Sequence, residues 1–226
     1  LRRQIDLLPP GAFRETVLGT LVLVSRLLHQ APRGSGKIYA LHEPGADCIS
    51  KGKARVRYEF GTKVSIATTI DEGFVVGMRA LPGNPYDGHT LAEALEQVEI
   101  LTDQRPELAV VDRGYRGNVV ETTRVLISGS RRGLTPPLQA LLRRRSAIEP
   151  EIGHMKTGGR LARCPFKGTW GDAIFAVLCG CGHNIRKILR HLRKLFAVLL
   201  AMIASALSAT VVIKTENHRL TQSAAA

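Results

Sequence analysis

The alternation of apolar and polar positions divides the chain into a helical opening, a middle part of mixed elements and a second helical part. From Phe13 to Gln30, apolar residues recur at helical spacing on one face, which predicts an amphipathic helix. The run Pro32-Arg-Gly-Ser-Gly36 breaks this pattern and predicts a turn or linker. Because the opening helix carries no visible chemistry, residues 1–36 are predicted to be an accessory segment.

From Lys37 the pattern changes to that of strands. Val64, Ile66 and Thr68 alternate with other residues and predict a strand within Tyr58 to Thr69. Asp71-Glu-Gly73 is a hairpin signal. Phe74 to Leu81 is therefore predicted to return as the antiparallel partner.

Helices and strands alternate after this hairpin. The next predicted elements are a helix that ends at Leu101, a strand from Glu107 to Val111, and a strand from Arg124 to Ser128. The Pro136-Pro137 pair is interpreted as a break, and a basic helix that carries Glu149 follows. This order predicts an α/β fold in which helices flank a mixed sheet.

The end of the chain is helical and apolar in pattern. A helix is predicted from Trp170 to Leu195, and the stretch from Leu195 to Ile213 is uncharged. Its length and cationic flank are compatible with a membrane span. The alternatives are a tail buried against the domain and a poorly ordered tail. Many Ala, Ser and Thr residues weaken the membrane interpretation, so a membrane partner is not expected.

Composition narrows the choice of partner. Lys and Arg number 32 against 19 Asp and Glu, which gives a formal charge of +13 and favours a polyanion, either nucleic acid or an anionic membrane surface. Aromatic residues make up only 5%, which disfavours recognition by stacking on single-stranded bases. The four cysteines contain no C-x-x-C pair, so free thiols in a reducing cytosol are expected.

Candidate chemistry is concentrated in RRRSAIEPEIGHMK, residues 143–156. On a helix, Arg145, Glu149 and Lys156 share one stripe. The adjacent apolar stripe consists of Ile148, Ile152 and Met155. A carboxylate between two cations suits phosphate or metal chemistry. Ser146 and Glu149 also match a capping box, so a purely structural role for Glu149 remains open.

A second acid lies upstream, at Asp112. The apolar run Leu108-Ala-Val-Val ends in this aspartate, and a glycine-rich turn follows. A buried strand delivers a carboxylate to the carboxyl edge of a sheet in this way. Two such carboxylates, each flanked by arginines, could share divalent metals for phosphoryl transfer.

A basic run, Lys51-Gly-Lys53-Ala-Arg55-Val-Arg57, precedes the first strand of the hairpin. Such a run could follow a phosphate backbone. The alternative is a solvated edge that discourages aggregation of the sheet.

Taken in order, these motifs resemble the RNase H-like catalytic domain of bacterial insertion-sequence DDE transposases, in the families numbered four and five. The third-acid signature of those families is Y-x2-R-x3-E-x6-K. Arg145, Glu149 and Lys156 fit it, while Leu142 stands at the tyrosine position. The resemblance covers residues 37–194, the predicted catalytic domain, and leaves 195–226 as an apolar tail. Further matching stretches are Tyr39-Ala-Leu-His-Glu-Pro44, Lys51-Gly-Lys53, Tyr58-Glu-Phe-Gly-Thr-Lys-Val-Ser65, Ala80-Leu-Pro-Gly-Asn-Pro-Tyr-Asp-Gly-His-Thr90 and Val111-Asp-Arg-Gly-Tyr-Arg-Gly117.

The resemblance implies a role for each site residue. Asp112 would be the second acid of the catalytic triad and Glu149 the third, and both would hold two Mg²⁺ or Mn²⁺ ions. The substrate would be double-stranded DNA at transposon ends, in the bacterial cytoplasm and associated with the nucleoid. A homo-oligomer stays open. The residues expected to position DNA phosphates are Arg145, Lys156, Lys51, Lys53 and Arg116.

One part of the family pattern has no counterpart. Relatives of this kind carry the first aspartate on an upstream strand, in an Asp-Thr-Thr-Val-like context. Asp6, Asp47 and Asp71 are the aspartates that precede Asp87, and none follows a β-branched run. We therefore expect an amino-terminally truncated copy with an incomplete two-ion site that is inactive alone. The alternative is a non-catalytic DNA-binding remnant that occupies transposon ends or regulates the full-length transposase.

Overall fold

The computed structural model describes residues 2–50, 57–130 and 133–223, and from 208 onward it describes the backbone alone. The chain divides into two compact units, Leu1–Cys181 and Gly182–Ala226. The first unit contains all the strands that the described residues form. The second unit consists of one helical segment.

Two helices open the first unit, α1 (Arg2–Asp6) and α2 (Ala12–His29). The bounds of α2 agree with the helix predicted from Phe13 to Gln30 to within a residue. No residue of α2 is buried. Helix α2 therefore has an apolar face but does not contribute a buried residue to the core.

Six short strands follow, and the described residues pair them into three two-stranded sheets. The pair β1–β2 is antiparallel, the pair β3–β4 is antiparallel, and the pair β5–β6 is parallel. The mixed α/β class is thus confirmed and agrees with an RNase H-like domain, although the pairs do not join into one sheet. The strands are β1 (Asp47–Ser50), β2 (Tyr58–Gly61), β3 (Lys63–Thr68), β4 (Val75–Leu81), β5 (Leu108–Val111) and β6 (Arg124–Ile127).

Helix α3 (Asp87–Thr102) packs on the β3–β4 hairpin through a buried face of apolar side chains. A Cβ atom at Gly77 of β4 would lie 3.1 Å from Val98, so the glycine eases this close approach. The Gln97 amide also donates a hydrogen bond to the Met78 carbonyl at 3.2 Å. The buried apolar residues of α3 are Leu91, Leu95 and Val98.

Helices α4 (Pro136–Arg144) and α5 (Ile148–Thr157) are joined by a single 3-10 turn, Arg145–Ala147. The Pro136-Pro137 pair was predicted to break the chain, but it begins α4. This is physically reasonable because the first helical positions need no N–H donor. Met155 of α5 is fully buried in a cluster with Met78, Ala176 and Cys179. The apolar stripe predicted beside Glu149 therefore attaches α5 to the core.

Helix α6 (Gly168–Ser223) comprises 56 residues. The helix predicted from Trp170 to Leu195 is present, and the uncharged stretch after Leu195 prolongs it. Among the residues that the structure describes, no helix combines the length and the apolar character needed to cross a membrane.

Candidate active site

Asp112 lies where β5 ends, at the start of a 3-10 turn formed by Arg113–Tyr115. Its Oδ1 atom accepts hydrogen bonds from the Arg113 backbone N–H at 2.7 Å and from the Ser128 hydroxyl at 3.0 Å. Ser128 directly follows β6, and its backbone N–H donates to the Val111 carbonyl at 2.9 Å. The parallel pairing of β5 and β6 therefore brings the serine to the acid.

These contacts set the charge of Asp112. The Arg113 N–H bond, the Ser128 hydroxyl and the nearby Arg145 guanidinium lower the pKa of the Asp112 carboxyl, against an opposing effect of burial. The side chain is nevertheless 63% exposed. Asp112 thus presents an ionised carboxylate to solvent at neutral pH.

Arg145 connects the two predicted acids. Its Nη1 atom lies 3.9 Å from Oδ2 of Asp112, and its Nη2 atom lies 3.6 Å from Oε1 of Glu149. Because one guanidinium group is only a few ångströms across, the two carboxylates flank the same small region. The structure thus brings Asp112, Arg145 and Glu149 together.

The capping interpretation of Glu149 is wrong. Ala147 is the residue before α5, and no side chain caps the helix start. The Ser146 hydroxyl instead donates to the Arg143 carbonyl at 2.9 Å. Glu149 lies in the first turn of α5, where its carboxylate is also favoured by the helix dipole.

The remaining predicted cations lie elsewhere or outside the description. Lys156 is two turns further along α5, and its ammonium group lies 4.0 Å from the Glu59 carboxylate of β2. Arg116 is exposed at the end of the 3-10 turn, where its carbonyl accepts a hydrogen bond from Tyr86. Lys51 and Lys53 lie outside the described residues, so the structure says nothing of their predicted role.

Polar contacts of Lys63 and Asp87 support the turn after Asp112. The sequence patterns did not predict these contacts. The Lys63 ammonium group donates to Asp87 at 2.9 Å and to the Pro85 carbonyl at 2.7 Å. A side chain at Gly114 would clash with the Asp87 carboxylate, so that glycine allows the turn to approach α3. Burial raises the pKa of the adjacent Tyr115 hydroxyl. In the sequence, the glycine within Asp-Arg-Gly-Tyr was the one indication that this turn approaches another element closely.

A cavity of about 2400 Å³ opens beside Asp112. It is lined by β3, by β5, by one face of α3 and by parts of α5, and Asp112, Arg145 and Lys156 all contribute to its wall. Sites for small molecules usually measure about 300–1,000 Å³, so this cavity is larger than a small substrate needs.

The donor set at Asp112 and Glu149 suits a hard divalent cation. Both groups offer exposed carboxylate oxygens, and Mg²⁺ is commonly held by one or two carboxylates together with water and phosphate oxygens. Within the described ranges, however, no three His, Cys, Asp or Glu side chains are grouped to hold a metal. The upstream aspartates make other contacts: Asp6 with Arg14, Asp47 with the Gly83 N–H, and Asp71 with Arg144.

The described residues form a mixed α/β domain in which Asp112 and Glu149 flank one arginine. Residues 34–128 match the family model of the transposase DDE domain. This match supports a DDE transposase, the broad class that the motifs resemble. The matched range includes Asp112 and ends before Arg145 and Glu149. None of the curated proteins and none of the solved structures matches the chain.

Proposed function

We propose that this chain supplies two acids of a transposase site for metal-dependent phosphodiester cleavage and strand transfer on insertion-sequence DNA. The observation that carries the proposal is the Arg145 guanidinium, which lies 3.9 Å from Asp112 and 3.6 Å from Glu149. The transposase DDE domain at residues 34–128 supports the same reaction class. Activity on such DNA would associate the protein with the bacterial nucleoid.

Each residue of the pair has a distinct proposed role. Asp112 and Glu149 would hold Mg²⁺ or Mn²⁺ through their carboxylate oxygens. When bound, such ions activate water or a 3′-hydroxyl for in-line attack at a phosphodiester. Ser128 fixes one oxygen of Asp112, and Arg145 orients both acids while offering positive charge to a phosphate group.

Double-stranded DNA at transposon ends is the proposed partner. A formal charge of +13 supplies the long-range attraction. In the described part of the site, Arg145, Lys156 and Arg116 would contact backbone phosphates. Lys51 and Lys53 would extend this contact from the basic run.

We further propose that the residues described here do not cleave DNA alone, because the three aspartates that precede Asp87 make contacts away from Asp112 and Glu149. In the described residues, β3 pairs only with β4, and β5 pairs only with β6. Both strands line the cavity beside Asp112, so each has a strand edge without a ladder partner there. The resemblance assigns the first acid to a strand.

The alternative function is that of a non-catalytic DNA-binding protein, which occupies transposon ends or regulates a full-length transposase. The observation that favours it is the carboxylate pair without a third ligand in the described ranges. Both functions require phosphate contacts, so DNA binding alone does not separate them. Metal-dependent cleavage does.

The test is a cleavage assay on DNA that carries the element's own terminal repeats, with Mg²⁺ or Mn²⁺, beside a binding assay on the same DNA. Asp112→Asn is compared with Glu96→Gln, which changes an exposed acid of α3 by the same chemistry. We expect binding without cleavage. Robust cleavage that is lost in Asp112→Asn would contradict the proposal that this chain is inactive alone. Cleavage that is unchanged in Asp112→Asn would contradict the assignment of Asp112 to the catalytic site. Absence of DNA binding would contradict both functions.

A further inference from the structure

Arg144, the last residue of α4, contacts the hairpin tip, residues 69–74, which connects β3 to β4. Its Nε atom donates a hydrogen bond to the Ile70 carbonyl at 2.8 Å, and its Nη2 atom donates to the Asp71 carbonyl at 2.9 Å. The Nη2 atom also lies 3.3 Å from the Asp71 carboxylate. The two carbonyls are 74 and 73 residues away along the chain. One guanidinium group thus joins two elements that are distant in sequence.

The hairpin tip is held by its own hydrogen bonds. The Thr69 N–H donates to the Phe74 carbonyl at 2.8 Å, and the Phe74 N–H donates to the Thr69 hydroxyl at 3.0 Å. The Gly73 N–H donates to the Thr69 carbonyl at 3.1 Å, with a φ of 68° that favours glycine. These bonds fix the turn in which the Ile70 and Asp71 carbonyls accept from Arg144.

Helix α3 connects the hairpin to the turn that carries Asp112. It packs on both strands of the hairpin and on the 3-10 turn Arg113–Tyr115, which directly follows Asp112. The Lys63 ammonium group of β3 also donates to Asp87 of α3 at 2.9 Å. A contact with the hairpin is therefore a contact with the structure that positions Asp112.

Helix α5 is attached at two points, and Glu149 lies between them. Met155 is buried in the core cluster, about 9 Å along the helix from Glu149. On the other side, Arg144 precedes the single 3-10 turn Arg145–Ala147 that leads into α5. A helix attached at one point can pivot about it, whereas two attachments fix its direction. The position of Glu149 therefore depends on the contacts of Arg144.

We propose that Arg144 is a positioning residue, which holds the start of α5 against the β3–β4 hairpin and thereby fixes Glu149 relative to Asp112. Its two bonds to carbonyls carry this role, because a guanidinium group can donate to two acceptors at once. The ion pair with Asp71 contributes little, since the two side chains are 49% and 67% exposed. The consequence for metal binding rests on the proposed function, in which Asp112 and Glu149 share an ion.

Four substitutions separate the carbonyl bonds from the charge. Arg144→Ala removes both, and Arg144→Lys keeps the charge but lacks the planar fork. Asp71→Asn removes the ion pair and leaves the two backbone carbonyls in place. Arg143→Ala is the matched control, because it removes the same charge from the adjacent, exposed position of α4.

The first measurement is the Mn²⁺ affinity of the full chain, followed by electron paramagnetic resonance of the unbound ion. We expect Arg144→Ala to lose about 10-fold in affinity and Arg144→Lys to lose most of that amount. Asp71→Asn and Arg143→Ala should bind nearly as the wild type does. Glu149→Gln should add no further loss to Arg144→Ala, because a displaced Glu149 no longer reaches the ion. Wild-type affinity in Arg144→Ala, or recovery in Arg144→Lys with a loss in Asp71→Asn, would overturn the proposal.

A second measurement needs no metal. Nitroxide labels are attached through p-acetylphenylalanine at the exposed residues Ala92 of α3 and Pro150 of α5, so that the cysteines are retained. Electron paramagnetic resonance then reports the separation of the two helices. We expect the same narrow distribution of distances in the wild type and in Arg143→Ala, and a shifted or broader one in Arg144→Ala.

The two measurements distinguish this proposal from the proposed function. If Mn²⁺ binding is indifferent to Asp112→Asn, the proposed metal site fails, while the separation of the labels still tests whether Arg144 positions α5. An unchanged separation in Arg144→Ala would overturn the positioning role whatever the metal affinity is.

Discussion

The guanidinium group of Arg145 lies 3.9 Å from the carboxylate of Asp112, although the two residues belong to distant parts of the chain. Asp112 follows strand β5, and Arg145 follows helix α4. The same guanidinium also lies 3.6 Å from Glu149. Two acids that are separate in sequence thus share one cation, and this relationship supports the proposed catalytic role.

Removing the Ser128 hydroxyl should raise the pKa of Asp112. That hydroxyl donates to Oδ1 at 3.0 Å and stabilises the ionised form. The ionised carboxylate is the form that binds metal, so Mn²⁺ affinity falls at acid pH as Asp112 is protonated. In Ser128→Ala this fall in affinity should begin at a higher pH. Calorimetric titration between pH 3 and 7 measures this fall. Ser130→Ala serves as the control, and an unshifted fall in Ser128→Ala would contradict the assigned hydrogen bond.

Arg145→Ala should also raise the pKa of Asp112, but by less than Ser128→Ala does. The guanidinium acts by attraction across 3.9 Å near solvent, whereas the hydroxyl donates a direct hydrogen bond. Carbon-13 NMR titration of labelled aspartate reports the pKa itself. Arg145→Lys keeps the charge and should restore most of the value. A larger shift in Arg145→Ala than in Ser128→Ala would reverse the order expected from these contacts.

The pH dependence of stability follows from the same shift. A carboxyl whose pKa is lower in the folded state stabilises the fold above its unfolded pKa, and this contribution is lost as pH falls through the folded pKa. For Asp112 the loss belongs to the acid range below the ordinary aspartate pKa. Because the side chain is 63% exposed, solvent screening keeps the contribution small.

Met155 should be the most sensitive position of α5. It is fully buried among Met78, Ala176 and Cys179, so Met155→Ala leaves a cavity in this cluster. We expect a loss of about 2–5 kcal/mol in the free energy of unfolding, measured by urea denaturation. Leu101→Ala removes a side chain that is 62% exposed and should cost less than about 1 kcal/mol. Equal losses in the two variants would contradict the assigned core.

Hydrogen exchange should distinguish the two edges of β3. Every second residue of a strand in an antiparallel pair directs its N–H towards the partner, and the residues between direct theirs away. In the described residues β3 pairs only with β4. Slow and fast amide exchange should therefore alternate from Lys63 to Ala67, before the register shift at Thr68, as NMR can resolve. Uniform protection would mean that the edge facing the cavity is already paired.

Sequence patterns were sufficient to predict those elements whose structure follows from local periodicity. The alternation at Val64, Ile66 and Thr68 predicted β3, and the acid at the end of a β-branched run predicted the position of Asp112. Strand β1 was missed because it has only four residues and depends on pairing with β2. Helix α4 was missed because its two prolines were interpreted as a break rather than as the first turn.

Contacts of the site between residues distant in sequence could not be predicted from the sequence patterns. Helical spacing correctly predicted the contact of Arg145 with Glu149, since those residues are one turn apart. It could not predict that Arg145 also reaches Asp112, because that contact depends on how α4 leads into α5. Lys156 was placed on the same stripe as Glu149, yet its ammonium group lies beside Glu59 of β2.

The salt dependence of DNA binding should report how many DNA phosphates the protein contacts. If Lys156 contacts one phosphate, Lys156→Ala should reduce the slope of log K against log salt by about 0.9, uniformly across DNA sequences. Fluorescence anisotropy at several salt concentrations measures the slope. Arg79→Ala removes a cation that is paired at 3.0 Å with Glu93 and should leave the slope nearly unchanged. Equal slopes in wild type and Lys156→Ala would remove Lys156 from the DNA interface.

The most direct test of a shared site for Asp112 and Glu149 is a double-mutant cycle on Mn²⁺ affinity, followed by electron paramagnetic resonance of the unbound ion. If one ion is held by both carboxylates, Asp112→Asn, Glu149→Gln and the double variant should each lose at least ~10-fold in affinity, and the double variant should lose less than the sum of the singles. Glu96→Gln should bind as the wild type does. Strictly additive losses, or an affinity indifferent to either acid, would contradict the shared site.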